Sequence, residues 1–174
     1  TALKFGRHPA ANKIGSGFSV VGSLCILGGC FYVLAGHAWD LRLPWQMPLG
    51  TWHLGMDALS AYFAAVIALV GGFASWYGYH YMDRYTGEKN VGASWFFFQI
   101  LLASMVMVTL AQDGILFLVS WEIMSLASFF LVIFEAEEPG ILKAGWIYLA
   151  ATHTGTACLL IMFLLLGGSG GYDL

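Results

Sequence analysis

Glu122 lies in the run ILFLVSWEIMSLASFFLVIF, with apolar residues over most positions on either side. Counted from Gly114 it is eight residues in, about 12 Å along a helix that rises 1.5 Å per residue. A carboxylate at that depth cannot easily reach water by extending its side chain. It is costly unless it is paired, protonated or facing water. Such a group is suited to taking up and releasing a proton or a cation. The alternative is a neutral acid hydrogen-bonded between helices.

His153 is the second chemical group set in apolar surroundings, in IYLAATHTGTACLLIMFLLL. It lies ten residues beyond Lys143, about 15 Å along a helix. Glu122 is twelve residues back from Phe134, about 18 Å. Two helices joined by a short link run antiparallel, so the two groups come to similar depths. A carboxylate and an imidazole near mid-membrane can pass a proton directly or through water. Whether they face each other depends on helix rotation, which the pattern does not show, and a satisfied core histidine is the competing reading. Lys143 is either a snorkelling lysine at a helix end or a cation biasing the inner mouth of a proton path. Asp57, Ser125 and Thr152 are possible supporting groups. Asp57 sits where a carboxylate caps a helix. Ser120, Ser125, Ser128, Thr152, Thr154 and Thr156 could equally bond backbone carbonyls.

Positioning these groups falls to five apolar stretches, at about 14–36, 56–79, 91–111, 115–134 and 142–167. Each has the roughly 20 residues that cross a hydrocarbon core about 30 Å thick. A barrel would instead show alternating segments of about ten residues. The composition agrees: 59% of the 174 residues are hydrophobic and 10% charged, against roughly 25% charged in soluble domains. Mean hydropathy is +0.76. The expected fold is an all-α polytopic membrane protein, with residues 1–174 forming one transmembrane domain.

The connections carry further signals. The longest, HAWDLRLPWQMPLGTWHLG, holds Trp39, Trp45, Trp52, Pro44 and Pro48 and reads as an interfacial loop. MDRYTGEKN is polar, AQDG places Asp113 as an N-cap, and EAEEPG is acidic. Lys4, Arg7, Lys13, Arg84, Lys89 and Lys143 fall on one side of a five-span chain and Arg42 alone on the other. The N-terminal tail is therefore expected in the cytoplasm. Net charge is -3 with no basic tract, so there is no footprint for nucleic acid. Cys25, Cys30 and Cys158 form no CxxC pair and read as small buried hydrophobes. There is no nucleotide-binding glycine fingerprint, zinc spacing or cysteine quartet. No cofactor or metal is expected in this chain, and no catalytic residue.

QDGILFLVSWEIMSLASFFLVIFE, followed by KAGWIYLAATHTGTACLLIMFLLLG, resembles the antiporter-like proton-translocating subunits. That superfamily includes membrane-arm subunits of respiratory NADH dehydrogenase and the Mrp antiporters. WEIMSLASFFLV and KAGWIYLAATHTGTA are most similar to the large membrane subunit of formate hydrogenlyase and hydrogenase-4-type complexes, and GMDALSAYF resembles the family's DALS-type helix opening. The resemblance implies that the five helices correspond to the family's second to sixth. It implies that Glu122 is the family's fifth-helix acid and that Lys143 and His153 lie in its sixth helix. The partner lysine of the seventh helix and the second half-repeat have no counterpart among these residues. The resemblance therefore implies part of a longer subunit, or a short member completed by a neighbour. It further implies a prokaryotic inner membrane, other membrane-arm subunits, and a peripheral redox module carrying nickel–iron and iron–sulfur centres. The alternatives are a respiratory NADH dehydrogenase subunit, a Mrp-type sodium/proton antiporter subunit, and a purely structural membrane anchor.

Overall fold

The computed structural model describes residues 9–47, 50–135 and 140–167. Lys4, Arg7 and His8, Pro48, Glu137, Glu138 and Pro139 of the acidic link, and the tail from residue 168 lie outside them.

Five helices are long and apolar enough to cross a membrane. They are α1 (Pro9–Leu34), α2 (Ala58–Asp83), α3 (Val91–Leu110), α4 (Gly114–Val132) and α5 (Ile141–Gly167). Their ends follow from local chemistry. α1 stops before Gly36, whose φ of 102° suits a residue without Cβ. Asp57 caps α2 by accepting the Ser60 amide at 2.7 Å. Asn90 caps α3 through the Ala93 amide. Asp113 caps α4 by accepting from the amides of Ile115 and Leu116. Each carboxylate or amide oxygen satisfies a first-turn N–H that has no partner within the helix.

α1 packs along α2, α3 along α4, and α5 against α4; α3 also touches α1 and α2. Small residues set the close approaches. A Cβ on Gly15 would collide with the Trp95 side chain, and one on Gly71 would lie 2.6 Å from Cδ2 of Leu102. One buried polar knot ties the first three helices. Asn12 donates to the Tyr79 carbonyl at 2.9 Å and accepts from the Trp95 indole at 2.8 Å. Gln99 donates to the Gly15 carbonyl. Interhelical hydrogen bonds of this kind orient membrane helices where hydrophobic burial cannot. Large apolar side chains such as Phe18, Phe73 and Leu165 remain on the outside, as a hydrocarbon solvent allows.

The stretch expected as an interfacial loop holds an antiparallel hairpin, β1 (Trp39–Met47) and β2 (Gly50–Met56). Its register slips between Leu43 and Gln46, where Pro44 has no N–H to give a ladder. The hairpin docks on the α3–α4 link. Leu54 bridges to Ala111, and the Gln112 amide donates to the His53 carbonyl. His53 Nε2 lies 2.6 Å from Asp40 Oδ2, with Arg42 Nε 3.5 Å from the other carboxylate oxygen. The His53 hydrogen bond, followed by the charges of His53 and Arg42, holds the Asp40 carboxyl below its ordinary range.

Candidate proton-transfer site

Packing of α4 against α5 answers the rotation question. His153 Nε2 lies 3.5 Å from Glu122 Oε2. Glu122 reaches this position because Ser125 and Phe129, one and two turns along α4, are buried and fix the helix face. On α5 the inner stripe runs through Gly145, Thr152 and Phe163. Gly145 permits the approach, since a Cβ there would lie 2.9 Å from Cγ2 of Ile133. The Glu122 side chain is 30% exposed and that of His153 50%. The pair therefore sits at the edge of the seam and opens outward from the bundle.

The imidazole is held by its own helix. His153 Nδ1 lies 3.0 Å from the Leu149 carbonyl oxygen. A carbonyl only accepts, so Nδ1 carries a hydrogen and donates. In the neutral ring Nε2 is then the bare nitrogen, and it is the one that faces Glu122. At 3.5 Å the pair is a close acid–imidazole contact, and an approach shorter by a few tenths of an ångström would let a carboxylic acid donate to Nε2 or a carboxylate accept from an imidazolium. A proton passing between Oε2 and Nε2 would leave the protonation of every other atom unchanged.

The seam differs on the two sides of this pair. Toward Gly140, Ser128 and Tyr148 hydrogen-bond to each other across the helices. Ser128 is six residues from Glu122 and Tyr148 five from His153, so this contact lies about 8 Å from the pair. Ser128 also donates to the Ser125 carbonyl. Toward the hairpin the seam is apolar: Phe117 meets Phe163 edge-on and stacks on Trp121. The Trp121 indole N–H has no acceptor among the described residues.

The other expected site residues fall as follows. Lys143 is exposed in the first turn of α5, about 15 Å along the axis from His153, and is not in contact with the pair. Asp57 is a helix cap. Its carboxyl is held below the ordinary range by hydrogen bonds from Ser60. Thr152 donates to the Leu149 carbonyl at 3.0 Å, the same oxygen that His153 uses. Thr154 and Thr156 bond the Ala150 and Thr152 carbonyls. Ser125 is buried and Ser120 donates to Leu116. Tyr148 was not singled out from the sequence, because a tyrosine near a helix end ordinarily reads as an interfacial anchor. Its antiparallel match with Ser128 was the available signal. Among the described residues no cluster of three or more His, Cys, Asp or Glu could hold a metal.

Five apolar spans and an intramembrane acid–imidazole pair define a multi-pass α-helical membrane protein with an antiporter-like fold. The Mrp complex from Dietzia sp. DQ12-45-1b superposes with a TM-score of 0.78 over 98% of this chain and 19% of that one, at 22% identity. Hydrogenase-4 component B of Escherichia coli (strain K12) is 40% identical over 118 residues, 68% of this chain and 17% of the relative. A probable K(+)/H(+) antiporter protein of Rhizobium meliloti (strain 1021) is 28% identical over 145 residues, 82% of this chain and 14% of the relative. No family model matches. The chain is related to the antiporter-like superfamily of hydrogenase-4 and Mrp proteins, and it spans less than a quarter of the length of these relatives.

Proposed function

We propose that this chain supplies a proton-transfer element to an ion-translocating membrane subunit, with Glu122 as the loading site and His153 as the relay. The observation that carries this reading is the 3.5 Å approach of Nε2 to Oε2 in the middle of two apolar helices. The Ser128–Tyr148 hydroxyls provide a polar step toward the Gly140 end, which the lysine and arginine count places in the cytoplasm. Lys143 stands at that entrance as a cation that biases proton occupancy. Beyond the pair, Phe117, Trp121 and Phe163 close the seam. A proton therefore leaves sideways, by the exposed edge of His153, toward whatever packs on α5.

The higher identity to hydrogenase-4 component B than to the antiporter relative supports a hydrogenase-type or formate hydrogenlyase-type complex. There a partner redox module with nickel–iron and iron–sulfur centres would release the energy, and this chain would carry no redox chemistry itself. Native mass spectrometry of the gently solubilised complex tests that assignment: a nickel–iron hydrogenase partner supports it, and antiporter partners alone overturn it. The transport role is tested by Glu122→Gln, which keeps the shape and hydrogen-bonding capacity but cannot ionise. Assembly should persist while proton translocation falls by roughly a hundredfold or more, the range that one positioned acid contributes. Unchanged translocation would make the pair a fixed interhelical bond.

A further inference from the structure

A crease between α1 and α2 has the shape and charge pattern of a lipid site. Near the Tyr79 end it forms a cavity of about 470 Å³ reaching Gly17, Ser75 and His80. It continues into a second cavity of about 300 Å³ that reaches Leu27 and Ala68, and the two share Val20 and Trp76 as walls. Small residues open it: nothing lies within 4 Å of a Cβ built on Gly17. From Ser16 to Leu27 the crease runs about 16 Å, half of a hydrocarbon core about 30 Å thick. It thus ends near mid-membrane, at the depth of one leaflet's acyl chain, whereas a packed helix would need a groove crossing both leaflets.

Charge is confined to one end, while among the described residues Ser23 is the one hydroxyl lining the inner cavity. Lys13 is exposed one turn before Gly17 on the same stripe of α1. His80 lines the mouth, and Arg84 lies one turn beyond it, its guanidinium 5.4 Å from the Tyr81 ring. Asp83 is the single carboxylate of α2. The ion pairs among the described residues are Asp40–Arg42, Asp40–His53 and Glu122–His153, none of which uses Lys13. The Asn12 bond to the Tyr79 carbonyl pins the helices beside the mouth, so the opening is preformed. The far end is walled by Leu27, Leu69 and Phe73.

We propose that this crease binds an anionic phospholipid, one acyl chain lying against Val20 and Trp76 and the phosphate held by Lys13 and His80. The site is separate from the Glu122–His153 seam and does not depend on the transport reading. The test uses the intact complex reconstituted in vesicles doped with a phosphatidylglycerol or a phosphatidylcholine bearing the same photoreactive acyl chain. Adducts mapped by mass spectrometry should concentrate on Val20, Val21, Leu24 and Trp76. The anionic lipid should exceed the zwitterionic one by about fivefold, the contribution of one lysine near a charged headgroup. Lys13→Gln should bring the two lipids to parity while the adducts stay in place. Gly17→Leu, whose Cβ would meet no atom within 4 Å and whose side chain would occupy the crease, should remove both sets. Equal labelling by the two lipids in the native complex, or no response to Lys13→Gln, overturns the proposal. So does absence of lipid adducts with capture of a neighbouring helix instead, which would make the crease a protein contact.

Discussion

At the scale of the residue, the Leu149 carbonyl is the least conspicuous part of the candidate site and gives it direction. By accepting from Nδ1 it leaves Nε2 as the nitrogen that faces Glu122. A glutamine at position 153 would be polar and of similar reach but has no titrating nitrogen. His153→Gln should therefore lower proton translocation in vesicles by roughly a hundredfold or more, by the same argument as for the acid. It should leave the thermal midpoint of the complex nearly unchanged, because half of the side chain is exposed and little packing is lost. A large fall in the midpoint with translocation intact would assign His153 to structure. That Glu122 and His153 are ionisable groups set within apolar helices was legible in the sequence, and such a group is costly wherever it faces. Their mutual contact was not, because a rotation about either helix axis leaves the apolar pattern unchanged when almost every position is apolar.

At the scale of the element, helix ends were more legible than loops. The four stretches from 56 onward match α2 to α5 within a few residues, since caps such as Asp113 and Asn90 sit at a change from polar to apolar sequence. α1 begins earlier than expected, at Pro9, because Asn12 is buried against Tyr79 and Trp95 and not left in water. Asp113 does more than end a loop. Its carboxylate accepts from two amides while almost wholly buried, and it starts the helix that carries Glu122. Asp113→Ala should cost about 1–2 kcal/mol, read as a lower thermal midpoint, with reduced translocation as α4 frays. The hairpin was hidden by its own composition: Pro44, Pro48 and the tryptophans suggest a loop, and cross-strand pairing is set by contacts with Ala111 and Gln112 far along the chain. Its clasp carries a pH signature. Asp40 has its folded pKa lowered, so its contribution is full above the ordinary carboxylate range, near pH 4. That contribution is lost as pH falls through the depressed value. Hydrogen-exchange protection of peptides covering 39–56, taken relative to the intrinsic rate at each pH, should be full at pH 5 and above and fall in stronger acid. Asp40→Asn should lower it throughout, and equal protection in the two proteins would remove the clasp from the argument.

At the scale of the whole molecule, the bundle is unevenly covered. α1, α2 and α3 share a polar knot and close glycine contacts, whereas α5 touches mainly α4 and shows Trp146, Ile147, Ile161 and Leu165 to the outside. His153 lies on the border of that uncovered face, so the sideways exit proposed for the proton and the face open to a neighbour coincide. Which membrane side feeds the pair depends on orientation, and the charge asymmetry makes a definite prediction. The α2–α3 turn, with Arg84 and Lys89, should lie in the cytoplasm with the Ser128–Tyr148 end of the seam, and the hairpin should lie outside. Glu88 and Leu41 are both exposed, one at each end. After Cys25, Cys30 and Cys158 are replaced by Ala, Leu41→Cys should react with a membrane-impermeant maleimide in intact cells, and Glu88→Cys only once the membrane is opened. The opposite pattern would put the hydroxyl step on the outer side. Glu122 would then be loaded from outside and Lys143 would guard an external entrance, reversing the proposed path while leaving the acid–imidazole pair in place.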